Sequence, residues 1–218
     1  MPSAFKSTRA GVRVNLPAEH RDLLADLLAQ LDDLLDPDGA AAGDRLTAEP
    51  PAEPDAAPAH SPVIEGDDDI FAALVATIDR PSTRPSDPAL ARLLPDGHHD
   101  DVEVAAEYRR LTEATLRQRK RGNADLARGA LSRPDPVVLT RPEAMALMKA
   151  LTDLRLVFAA RLQLEHDDDL ERLLDAMAAL PDPALAEQTL GLVDLYEALG
   201  YWQESLVGAV RPGTRPGT

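Results

Sequence analysis

The residues with the most chemically suggestive spacing are cations. Arg109 and Arg110 are followed by Arg117, Arg119, Lys120 and Arg121, and between Arg109 and Arg121 only Glu113 opposes them. On a helix, Arg109, Glu113 and Arg117 stack at four-residue steps, with Arg110 alongside and Arg121 one turn further on. Such a stripe could contact phosphates or an acidic partner surface. A solvated helix face near a C-terminus, where the macrodipole favours cations, explains the same pattern. Two acidic runs have metal-ligating types: Asp67-Asp68-Asp69, and Glu165-His166-Asp167-Asp168-Asp169. Each triplet is followed at once by an apolar helical pattern, and carboxylates stabilise a helix N-terminus. No calcium-loop glycine stands at the required spacing. Gly97-His98-His99-Asp100-Asp101 holds two imidazoles and two carboxylates. No further ligand lies near it in sequence, so it reads as a polar loop. No phosphate-binding loop, serine-nucleophile elbow or zincin pair occurs. The expectation is a non-enzyme with no catalytic residues, no metal site and no cofactor.

Charge narrows the partners. Asp and Glu total 38 against 23 Lys and Arg, a net charge of −15, which repels phosphate backbones and disfavours non-specific nucleic-acid binding. Aromatic residues make up 3% of the chain, too few for the usual RNA-stacking surface. The chain has no cysteine, which excludes disulfides, thiolate metal sites and a cysteine nucleophile. Met1–Ala10 carries Lys6 and Arg9 but no apolar run of signal-peptide length follows, and Leu156–Ala160 is too short to span a bilayer. A soluble, cytoplasmic protein without membrane contact is expected.

The elements that must position these residues are mostly helical. Val12 and Val14 alternate with polar residues, a short strand with one buried face. A helix follows over 17–36, with Leu24, Leu27, Leu28, Leu31, Leu34 and Leu35 on one broad stripe, stopped by Pro37 and Gly39. Residues 38–62 are acidic and rich in proline and alanine, with too little apolar surface to offset ordering entropy, and read as a flexible loop. A helix behind Asp67–Asp69 presents Ile70, Phe71, Leu74, Val75 and Ile78. Pro85-Ser86-Asp87-Pro88 caps a short helix carrying Leu90, Leu93 and Leu94. The cationic stripe lies on a helix over 101–121, with Val104, Ala105, Tyr108, Leu111, Thr115 and Leu116 expected inward. Gly122-Asn123 is expected to end it, with a short continuation through Leu131.

The best local signal is Val137-Val138-Leu139-Thr140-Arg141-Pro142-Glu143, a strand followed by a capping box with proline in the first turn. The helix it starts uses Met145, Met148, Leu151, Leu154, Phe158 and Leu162. Within that helix Arg155 and Arg161 are polar, and each reads either as a buried cation paired to a carboxylate or as a snorkelling side chain. Two more helices follow, behind Asp167–Asp169 and from Asp182 to Val210. Trp202, with Tyr201 and Tyr196, reads as core. Residues 211–218 read as a frayed tail. The whole predicts one helical domain, a bundle of about six main helices with a small two-stranded β ribbon.

Several collinear phrases resemble one family. They are Pro85-Ser86-Asp87-Pro88-Ala89-Leu90-Ala91-Arg92-Leu93-Leu94-Pro95-Asp96, Glu107-Tyr108-Arg109-Arg110-Leu111-Thr112-Glu113, Ala150-Leu151-Thr152-Asp153-Leu154-Arg155-Leu156 and Gly200-Tyr201-Trp202-Gln203-Glu204-Ser205-Leu206. Together they resemble actinobacterial proteins first described as a domain of unknown function and called the oxidative-stress transcriptional regulator AosR. The resemblance implies a cytoplasmic helical regulator that works with a stress sigma factor or RNA polymerase at promoter DNA. It also implies redox sensing by a cysteine pair. A cysteine-free chain cannot switch by thiol–disulfide exchange, so sensing would belong to the partner or be absent from this member. An acidic protein docking on a basic, DNA-binding sigma factor is electrostatically natural. Direct promoter binding would fall to Arg109, Arg110, Arg117, Arg119, Lys120 and Arg121. An adaptor role in regulated proteolysis is a further alternative, and a homodimer is compatible with all three.

Overall fold

The computed structural model describes residues 3–36, 84–97, 101–178 and 183–211. The expected helix behind Asp67–Asp69, the acidic loop at 38–62, and His98 to Asp100 lie outside the described residues, as does the tail after Arg211. The described chain is mostly helical, with three short strands and six helices. In order they are β1 (Phe5–Thr8), β2 (Gly11–Val14), α1 (Ala18–Leu35), α2 (Pro88–Leu93), α3 (Val102–Leu131), β3 (Val138–Leu139), α4 (Arg141–Arg161), α5 (Asp169–Ala178) and α6 (Pro183–Val210).

The strands form one antiparallel sheet in the order β1-β2-β3, one strand more than the expected ribbon. Phe5 pairs with Val14 and Thr8 with Gly11, and Val12 pairs with Leu139 on the other side. Gly11 is required where it stands. Its φ of 138° is open to glycine, and a Cβ there would overlap the carbonyl oxygen of Leu139. Two hydrogen bonds fasten the sheet to the last helix: the Phe5 amide donates to Ser205 Oγ at 3.0 Å, and Ser3 Oγ lies 2.8 Å from the same hydroxyl.

Helix α4 is the centre of the packing. Ala144, Leu147, Ala150, Leu151, Leu154 and Phe158 are all buried on it. Around it lie α1 with Leu24, Leu28, Leu31 and Leu35, α2 with Leu90 and Leu93, and α3 with Ala124, Ala127 and Leu131. Residues Leu199, Trp202 and Leu206 of α6 complete one continuous cluster with the sheet residues Phe5, Val12 and Val14. Its start is the predicted capping box: the Thr140 amide donates to Glu143 Oε2 at 2.7 Å and the Glu143 amide to Thr140 Oγ1 at 3.4 Å. Asp87 caps α2 by accepting from the Ala89 amide at 2.7 Å, and Asp101 caps α3 by accepting from Glu103 and Val104.

Two expectations for α3 are corrected. The helix does not stop at Gly122-Asn123 but runs unbroken for 30 residues to Leu131. The turns beyond Gly122 bury Ala124, Ala127, Ala130 and Leu131, and that packing outweighs the poor helix propensity of two residues. The apolar face is also turned. Ala105 is buried and Leu116 partly so, whereas Val104 (46% exposed), Tyr108 (50%), Leu111 (64%) and Thr115 face outward.

Gly122 tests the continuous helix directly. A Cβ there meets nothing within 4 Å. Gly122→Ala should therefore raise stability by about 1 kcal/mol in urea unfolding; a helix stop at this position would make the same substitution destabilising.

Candidate functional site

The cationic stripe is not a free surface. Arg109 is buried (7% exposed), and its guanidinium bonds to the carboxylate of Asp96, on the loop after α2. Arg84 lies 3.9 Å from the other oxygen of that carboxylate. Arg110 holds Glu107 one turn back, with contacts of 2.8 and 2.6 Å. Arg117 donates to Glu113 at 2.8 Å and to the carbonyl of Leu35, the last residue of α1, at 3.2 Å. Lys120 pairs with Asp153 of α4. Arg121 donates to Asp32 at 2.7 Å and sits 3.5 Å from Asp36. Arg119 alone of the six is exposed with no ion pair among the described residues. Arg109, Arg117, Lys120 and Arg121 thus join α3 to α1, α4 and the loop after α2, and their charge is neutralised within the fold.

The other flagged residues also serve the fold. Arg155 donates to Gln203 Oε1 at 2.8 Å and stacks 5.4 Å from the Tyr196 ring, while Gln203 donates onward to Thr152 at 2.7 Å. Among the described residues an amide and an aromatic ring therefore hold it, not a carboxylate. Arg161 is exposed and pairs with Asp87 at 2.7 Å. Trp202 is core, with the His20 ring 5.8 Å away, whereas Tyr201 is exposed. Asp169 accepts from the Glu165 and His166 amides at 2.7 Å each, closing the turn before α5, and Asp168 pairs with Arg172. Among the described residues no three histidine or carboxylate side chains converge as a metal set, and no helix is long and apolar enough to cross a membrane.

What sequence reasoning missed is the outward side of α3. Val104, Tyr108 and Leu111 recur at steps of four and three, a helical apolar stripe about 10 Å long. They lie opposite Ala105, Arg109 and Lys120, which face the core. Gly97 lies so close to the Tyr108 ring that a Cβ there would overlap it, so the loop after α2 closes one flank of the stripe. Clustered exposed apolar side chains of this kind mark contact surfaces more often than scattered ones do.

The domain of unknown function DUF2017 matches residues 2–210. The chain belongs to this family. The match spans the sheet and all six described helices, so the stripe and the buried ion pairs lie within the DUF2017 domain itself. The same comparisons match no curated protein and no solved structure.

The electrostatics give two testable outcomes. In Glu143 and Asp87 burial pushes the carboxyl pKa up, but hydrogen bonds outweigh it and lower it overall, from Thr140 and Arg133 in the first case and from Arg161 and Ala89 in the second. Asp135 is lowered by the Arg21 guanidinium, and Asp169 by the Glu165 and His166 amides. Groups lowered by folding stabilise the native state above their unfolded pKa values, about 4, and that contribution is lost as pH falls through the lower native values. Urea midpoints should hold down to about pH 5 and then drop steeply. Asp153 differs: it is 5% exposed, and burial raises its pKa against the opposing pull of Lys120. Lys120→Met should cost about 1–3 kcal/mol at pH 7 by leaving a buried carboxylate unpaired. The folded pKa of Asp153 would rise further, so the deficit relative to wild type should shrink as pH is lowered toward 5. A deficit independent of pH would show that the pair carries no such strain.

Proposed function

We propose that this DUF2017 chain is a non-enzymatic, transcription-associated regulator of the oxidative-stress response that acts by protein–protein contact, docking on a stress sigma factor or RNA polymerase. The observation that carries the contact mode is the outward apolar stripe Val104-Tyr108-Leu111 on a helix whose cations are mostly tied to internal carboxylates. An apolar stripe offers buried area to a protein groove, with Tyr108 as an aromatic anchor. Neutralised arginines offer little to a phosphate backbone, and the net charge of −15 opposes approach to DNA while favouring a basic, DNA-binding protein. The transcriptional setting, and with it a cytoplasmic location, is supported by the resemblance of the Glu107–Glu113 and Gly200–Leu206 phrases to AosR proteins.

Affinity capture of the full chain from oxidant-stressed cells, read by mass spectrometry, tests this reading. RNA polymerase or sigma-factor subunits should be recovered, and Tyr108→Ser with Leu111→Asp should cut recovery by about tenfold or more, as loss of hot-spot contacts does. Arg110→Gln with Arg119→Gln should leave it within about twofold, because rim charges contribute little. Capture without any transcription subunit sinks the proposal. A gel shift that is strong at low salt and flattened by the arginine variants would move the function to DNA.

A further inference from the structure

Helix α5 is the one described helix that buries none of its own residues. Its apolar side chains Leu170, Leu173, Leu174 and Met177 recur at three- and four-residue steps on a single face. Leu174 is 39% exposed and the other three are partly buried. The next element, α6, is in contact with α5, so α5 lies beside the first half of α6. Leu190 stands 40% exposed in that half, and Val193, one turn on, is buried outside the continuous core cluster. The two helices thus form an amphipathic unit whose apolar side is not used by the main core.

The same unit is strongly acidic. Over 165–178 and 183–197, nine carboxylates stand against one arginine, Arg172. Arg172 is taken by Asp168 and Asp169. Asp167, Glu171, Asp175, Glu187, Asp194 and Glu197 are exposed with no ion pair among the described residues. On α3 most charges are neutralised within the fold; here they are open. Glu171 and Asp175 border the apolar face of α5 along one edge.

An acidic border on an apolar stripe selects its occupant. Nucleic acid and anionic lipid are repelled. A second copy would bring the same carboxylates together. The exposed apolar area, on the order of a few hundred Å², also falls short of the roughly 800 Å² per partner of a standard interface. A helix laid along α5, itself ten residues or about 15 Å long, needs less area. Lysines or arginines on the edges of that helix would meet the open carboxylates. Met177, unbranched and polarisable, lets the surface adapt.

We propose that the α5–α6 face centred on Leu170, Leu173, Leu174 and Met177 binds a basic amphipathic helix of another protein. This face is carried by different helices from the Val104-Tyr108-Leu111 stripe, and the inference holds whether or not the chain acts in transcription.

The probe is a peptide of about fourteen leucines and lysines, with the leucines at three- and four-residue steps. Titrated calorimetrically into the full chain near physiological salt, it should bind one-to-one, about tenfold or more tightly than a peptide of the same composition in scrambled order. Amide exchange should slow over 169–178 and 183–194. Leu170→Ser/Leu174→Ser should weaken binding about tenfold or more. Glu171→Gln/Asp175→Asn should weaken it about fivefold at low salt, against less than about twofold for Asp22→Asn/Asp26→Asn, which removes two exposed carboxylates from α1. No binding, or equal binding of the scrambled peptide, overturns the proposal. Equal weakening by the two carboxylate pairs overturns it by reducing the contact to net charge. Protection over 102–112 instead of α5 and α6 overturns it by moving the peptide to the α3 stripe. A dimer in analytical ultracentrifugation that Leu170→Ser/Leu174→Ser dissolves overturns it in favour of a second copy.

Discussion

The burial of α4 is the constraint on which the described fold depends. A helix touched by α1, α2, α3, α6 and the sheet has little room for a solvated side, and its sequence answers with alanine where neighbours come close and leucine where gaps must be filled. Ala144, Ala146, Ala150 and Ala160 are all buried on it, as are Leu147, Leu151 and Leu154. Close approach by small residues makes every neighbour sensitive to the others, because a shift of one helix opens voids against α4 that nothing else can fill. The capping box fixes where this helix begins, and so fixes the register of everything packed around it.

Charge does a second structural job. In an acidic chain the few cations are scarce partners, and α3 holds six of them within thirteen positions. Four of these reach carboxylates or a carbonyl on α1, α4 and the loop after α2. The core-facing side of α3 is accordingly mostly apolar in its C-terminal half, at Ala124, Ala127, Ala130 and Leu131, whereas in its N-terminal half the buried Arg109 sits on the same face as Ala105. Buried ion pairs give up much of their attraction to desolvation but tolerate few alternative partners, so they favour a specific docking of α3 more than they add stability.

The sequence was legible where the signal is local. Thr140 to Glu143 and Asp87 to Pro88 were read correctly because a cap and its helix are neighbours in the chain, and the α1 stripe because one leucine face dominates. The first strand was missed: Phe5-Lys6-Ser7-Thr8 has one large apolar residue, and its place depends on Ser205, 200 residues away. The orientation of α3 was misread for a related reason. Val104, Tyr108 and Leu111 have the spacing of a buried face, while the side that is buried carries Arg109 and Lys120. Their burial is intelligible only once Asp96 and Asp153 are seen beside them. Hydrophobic periodicity cannot distinguish a core stripe from a contact stripe when the competing face is ionic. The stripe of cations was visible in sequence, but its neutralisation by distant carboxylates was not.

The bond from the Phe5 amide to Ser205 has a consequence for biosynthesis. The hairpin of β1 and β2 leaves the ribosome before α6, the helix that seals it and the last described element to be made. Until α6 arrives, the apolar ring of Phe5 and the edge of β1 have no cover from that helix. Nascent chains in that interval would be candidates for chaperone capture, and a translational pause ahead of α6 would prolong their exposure.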